Sequence, residues 1–125
     1  MYRRAIRATA AFSAALIAAG AFAAPVSPVG RWEGFALTPK GKSASVDLVL
    51  EDNTTFMFVQ NSVRPRLEAG FWAVDGDRLK LVTEKGVPVA EFRFAENNII
   101  EQLINGEPAK AADPNCCRLK LRTEN

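Results

Sequence analysis

The chain contains no histidine. That removes the usual general base, the imidazole of a Ser-His-Asp triad and the commonest metal ligand. The carboxylates do not compensate. Glu33, Asp47, Glu68, Glu91 and Glu101 stand singly along the sequence, with no adjacent pair. Asp75 and Asp77 flank Gly76, but the remaining ligands of a calcium loop are missing, so turn chemistry accounts for them. The sequence therefore points away from an enzyme, and it predicts neither a resident metal nor a cofactor.

Long apolar runs are equally scarce. The longest, Ala8 to Phe22, is Ala-rich and falls short of the roughly 20 residues that a spanning helix needs. Arg3, Arg4 and Arg7 precede it without an acid, and Ala21-Phe22-Ala23 follows as a small-x-small cleavage signal. Together these read as a secretory signal peptide over residues 1–23. The residues right after Arg3-Arg4 do not suit twin-arginine export, so general secretion is the expected route. No cysteine lies near the cleavage site, which argues against a lipid anchor. The expected product is periplasmic and not membrane-anchored.

A basic surface is also lacking. The chain carries 16 basic and 14 acidic residues, but three arginines leave with the signal, so the remainder has a net charge of −1. No basic stripe remains to suggest nucleic acid.

What is present is strand grammar. Residues 24–29 form a short leader that Pro25 and Pro28 keep extended, and residues 30–125 form one domain. Eight strands are expected, at Gly30 to Thr38, Ser43 to Leu50, Thr55 to Asn61, Arg66 to Val74, Arg78 to Thr83, Val89 to Ala95, Ile99 to Ile104 and Cys116 to Arg122. Most alternate apolar and polar residues and are cut by Gly, Pro, Asn or Asp. Asp75-Gly76 supplies the positive-φ position of a tight hairpin. Asn105-Gly106 has the composition of a type I′ turn, but Pro108 and Pro114 favour a longer loop to Asn115. Short connections and eight strands predict an all-β, antiparallel, up-and-down barrel, with an open sandwich as the alternative.

Such a barrel is filled by side chains or holds one small ligand. Trp32, Phe56, Phe58, Trp72, Phe92 and Phe94 are the candidates for its interior or for ligand contact. Trp32 is also placed to close the base, with Arg118 or Arg122 stacked on it. Phe56-Met57-Phe58-Val59 and Ala69 to Val74 are apolar on both faces. A covering loop is the favoured explanation and an exposed self-association patch the other.

Cys116 and Cys117 are adjacent. A bond between them is resisted by the roughly 3.8 Å Cα spacing across a trans peptide and by the opposed side chains of a strand. The simplest reading makes Cys117 a core thiol beside Leu119 and Leu121, and Cys116 a surface thiol. In a second, Cys116 has a lowered pKa beside Arg118 and forms a mixed or intermolecular disulfide. A third, soft-metal binding with Met57, stays open behind them.

Val29-Gly30-Arg31-Trp32-Glu33-Gly34 resembles the Gly-x-Trp opening of lipocalins. The chain further resembles the N-terminal domain of the NlpE type, outer-membrane lipoproteins tied to copper resistance and envelope stress. Trp32-Glu33-Gly34, Leu48 to Phe56, Glu68 to Trp72 with Asp77 to Leu81, and Ile104 to Pro108 carry the likeness. That family has a Cys-x-x-Cys after its first strand, where this chain reads Leu37-Thr38-Pro39-Lys40-Gly41, and a lipidated cysteine that this chain lacks. Neither copper handling by that motif nor anchoring carries over, and no functional residue maps across. The resemblance implies an exported envelope barrel, binding a small apolar ligand or acting in envelope homeostasis. The alternative is a protein–protein interaction module with a redox or dimerising thiol at Cys116, present as a monomer or a weak or disulfide-linked homodimer.

Overall fold

Alternation decides the architecture. In the computed structural model, which describes residues 27–96 and 98–123, β2 (Ser43–Leu50) buries Val46, Leu48 and Leu50 and turns Ser45, Asp47 and Val49 outward. The same period-two pattern runs through β1 (Gly30–Leu37), β3 (Thr55–Asn61), β5 (Arg78–Val82), β6 (Pro88–Glu96) and β7 (Ile99–Ile104). It brings Trp32, Phe58, Leu79, Leu81, Phe92, Phe94 and Ile100 to one interior face. The signal peptide expected over residues 1–23 and residues 24–26 of the leader lie outside the described residues.

Each strand from β1 to β7 pairs antiparallel with the next, including β4 (Arg66–Asp75). The circle closes through β9 (Arg118–Leu121), which pairs with both β7 and β1. The product is a closed, eight-stranded, up-and-down barrel, and closure removes the free edges that an open sheet would present. Gly34 makes the last seam possible, because a Cβ there would run into the Arg118 carbonyl of β9. Gly70 plays the same part on β4, against the Val82 carbonyl.

Three expectations need correcting. Asn105-Gly106 does form a tight hairpin, with φ of 54° and 83°, because Ile104 pairs directly with Glu107. This adds a two-residue strand, β8 (Glu107–Pro108), which lies end to end with β9 along β7. The long loop is real but starts later, at Ala109.

The second correction concerns the cysteines. They sit in a turn before β9 and are joined to each other by a disulfide. The expectation of two separate thiols assumed a trans peptide and a strand. The peptide between them is cis, and their Cα atoms are 3.0 Å apart. Cys117 is buried as expected, but with both sulfurs bridged neither is a free thiol.

The third is the strands that are apolar on both faces. Among the described residues no loop covers them. Met57, Leu67 and Phe71 are 49%, 67% and 45% exposed on the outer wall of β3 and β4. Met57 lies opposite Ala69, Leu67 opposite Val59 and Phe71 opposite Val82, so the strip is continuous.

Candidate functional site

The barrel is not filled evenly. Around Trp32 it is solid. The indole is wholly buried and its Nε1–H donates to the Pro28 carbonyl at 2.9 Å, which closes that end. Arg118 and Arg122 do not stack on it; they pair with Glu101 and Glu33 on the outer wall. Leu48, Leu50, Phe56, Leu79, Leu81 and Phe94 complete the packed part.

At the opposite end the inward positions change character. Ala36 and Ala90 are small, and β3 and β4 turn Gln60, Arg66 and Glu68 to the side that carries Phe58 below them. Too little apolar volume remains to fill the space. A hollow of about 390 Å³ results, floored by Phe58 and Phe92 and bounded by Ala36, Ala90, Gln102 and Leu103. A second, about 520 Å³, opens beside it between the β1–β2 and β3–β4 loops and reaches Lys40, Lys42, Val63 and Arg64. Thr38, Pro39 and Arg66 line both, so they form one mouth in two parts.

Polar groups in this mouth are held with care. The Gln102 carboxamide bridges to β1: its Oε1 accepts from Leu37 N–H at 2.7 Å, and its Nε2 donates to Leu37 O at 3.2 Å. Gln60 Nε2 donates to Ala36 O at 3.0 Å, while its Oε1 has no hydrogen-bond partner among the described residues. Arg66 lies over the Phe58 ring, 5.4 Å from its centroid, with Glu68 Oε2 3.3 Å away and the Val89 carbonyl also 3.3 Å away.

Of the aromatic residues singled out in the sequence, the structure gathers Trp32, Phe56, Phe58, Phe92 and Phe94 in the interior. Only Phe58 and Phe92 border the hollow. Trp72 is partly buried at the edge of the core, and its Nε1–H donates to Glu51 O at 2.9 Å. Gln60, Arg66 and Gln102 were not singled out. Gln60 and Gln102 both fall on the inward parity of their strands, and a polar residue at an inward position was the readable signal.

The carboxylates with altered acidity lie elsewhere. Hydrogen bonding to Arg93, against opposing burial and with help from Arg118, holds Glu101 below its ordinary value. Asp47 is lowered in the same way by a two-pronged bond from Arg31, at 2.7 Å on each arm. Both are rungs of an outer ion-pair ladder across β2, β1, β9, β7 and β6, and structural pairing accounts for both shifts. Among the described residues no group of three or more His, Cys, Asp or Glu is placed to hold a metal ion.

No family model matches the chain. No curated protein matches it either. Solved structures do, among them the following two. One is the Cpx pathway activator NlpE from Escherichia coli, with a TM-score of 0.52 and 22% identity over 67% of this chain. The chain spans 47% of the length of NlpE. The other is a predicted lipoprotein of Shewanella oneidensis, with a TM-score of 0.55 and 16% identity, covering 77% of this chain and 90% of that one. The likeness is one of fold: this is an NlpE-like, eight-stranded antiparallel barrel.

Proposed function

We propose that the protein is an exported, non-enzymatic barrel of the bacterial envelope that takes a small, largely apolar ligand in its open mouth. The observation that carries this reading is the hollow of about 390 Å³ above Phe58 and Phe92, in a barrel that is packed solid at its other end. A site of this kind is concave, mostly apolar and fitted with a few placed polar groups. Here Gln102, Gln60 and Arg66 are those groups. The similarity to a predicted lipoprotein and to NlpE supports the envelope setting, as does the signal peptide expected over residues 1–23.

Titration with the neutral apolar fluorophore N-phenylnaphthylamine tests it. The expected result is saturable enhancement that is lost in Ala90→Phe, a substitution that fills the hollow from its half-buried rim. Equal enhancement in that variant would place the probe elsewhere and sink the reading.

The exposed strip of Met57, Leu67 and Phe71 favours a second reading, a surface for self-association. Sedimentation would then show a concentration-dependent dimer that Leu67→Lys abolishes. A monomer at all concentrations would dispose of it.

A further inference from the structure

We infer that the mouth selects an amphiphilic acid with a hydrogen-bond donor close to its carboxylate, a short-chain hydroxy acid or N-acyl amino acid rather than a neutral lipid. This rests on the ligand-binding reading above and deepens it.

Charge is the first observation. Four cations line the outer part of the mouth: Lys40 and Lys42 from the β1–β2 loop, Arg64 from the β3–β4 loop and Arg66 from the start of β4. No carboxylate lines it. Glu68 answers Arg66 from below, at 3.3 Å. Lys40, Lys42 and Arg64 enter no ion pair among the described residues. Like charges brought together at a rim repel one another, and an anion among them relieves that repulsion.

Gln60 is the second and independent observation. It lines the same part of the mouth and is 1% exposed. Its orientation is fixed, because Nε2 faces the Ala36 carbonyl at 3.0 Å and a flipped amide would set two oxygens against each other. Oε1 is therefore the end left without a partner. Buried carbonyl oxygens are nearly always satisfied, so an orphan needs an explanation. A carboxylate oxygen cannot supply one, since both groups accept. A hydroxyl or an amide N–H can.

The third requirement is an apolar chain. Behind the cations the inner hollow is floored by Phe58 and Phe92, and its 390 Å³ limits the chain to a short one. Head, donor and tail thus follow from three neighbouring sets of residues.

Isothermal titration of the purified protein with octanol, octanoate and β-hydroxyoctanoate at low salt tests the inference. The expected order is weakest for octanol, about ten-fold tighter for octanoate and about ten-fold tighter again for the hydroxy acid, each step being one charge-assisted or hydrogen-bonded contact. Arg64→Gln, on an exposed loop, should erase most of the advantage of octanoate over octanol. Gln60→Met should erase the advantage of the hydroxy acid over octanoate. Should Gln60→Met fail to fold, the three ligands on the unaltered protein still decide. Equal affinity for octanol and octanoate, or for octanoate and the hydroxy acid, overturns the inference and leaves a neutral-ligand barrel standing. Absence of binding by all three overturns the inference and counts equally against the barrel reading beneath it.

Discussion

Gln102 and Leu37 exchange two hydrogen bonds across the stretch of the barrel seam that lies beyond the end of β9. Strand β9 pairs with β1 only from Trp32 to Gly34. Further up, the backbone of Leu37 has no β9 residue opposite it, and a side-chain amide from β7 takes the place of a ladder rung. The Gln102 backbone meanwhile holds the last loop, accepting from Ala109 N–H and donating to Cys117 O, each at 2.9 Å. One residue ties β1, β7 and the loop together at the rim of the mouth.

Gln102→Leu should therefore leave the N–H and the carbonyl of Leu37 unpaired in a partly buried place. The expected cost is about 1–3 kcal/mol, because an orphaned buried group loses its full solvation. Urea unfolding measures it, and amide exchange should show Leu37 losing protection first. An unchanged urea midpoint would mean that water replaces the amide at no cost.

A seam glycine and a loop glycine make a sharper contrast. A Cβ at Gly34 would meet the backbone of Arg118, which no side-chain movement relieves, so Gly34→Ala must push β9 away from β1. A loss of about 3 kcal/mol or more is expected, at the upper end for overpacking. At Gly41 nothing lies within 4 Å of the added atom, and only the φ of +82° resists it. Gly41→Ala should cost about 1–2 kcal/mol. Thermal unfolding of both variants ranks them, and the reverse order would refute the account of closure.

Most of the barrel was legible because period two and turn chemistry agreed. Val46, Leu48 and Leu50, then Phe92 and Phe94, announced their faces, and Gly76 sits at positive φ in the tight turn expected of it. The end of the chain was not legible. Alternation from Cys116 to Arg122 looks like a full strand, yet its first two residues turn, because the bridged pair departs from the trans geometry that strand reading assumes. The mouth was obscure for a different reason. Its shape comes from what Ala36 and Ala90 fail to fill, and an absence of volume has no sequence pattern. Gln60 and Gln102 were visible on inward parity, but their partners on β1 are far away in sequence, and only the closed barrel brings them close.

The outer apolar strip should contribute little to folding. Met57, Leu67 and Phe71 keep 49%, 67% and 45% of their surface in water, so a polar replacement forfeits little burial. Leu67→Lys is expected to shift stability by less than about 0.5 kcal/mol, the ordinary range for such surface sites. Phe58→Ala, two positions from Gln60 and 2% exposed, should cost about 3–5 kcal/mol. Chemical denaturation of the pair tests this. A large loss from Leu67→Lys would show that something covers the strip.

Acid should weaken the barrel through its outer ladder, and the sign follows from the direction of the shifts. Glu101 and Asp47 both sit below their ordinary values of 4.5 and 3.8, so each carboxylate is more acidic folded than unfolded. The stability they contribute is present in full above those ordinary values. It is lost as pH falls through them towards the lower folded values, because the unfolded chain takes up the proton first. Urea midpoints should be flat from pH 7 to about 5 and then decline. The pairs are partly open to solvent, with Arg93 and Arg118 40% and 55% exposed, which holds each contribution to roughly 1 kcal/mol or less. Glu101→Gln keeps the shape and removes the titrating group, so its stability should be slightly lower at pH 7 and its acid decline shallower. A decline as steep as that of the unaltered protein would assign the acid sensitivity to other carboxylates and leave the Arg93–Glu101–Arg118 bridge without an energetic role.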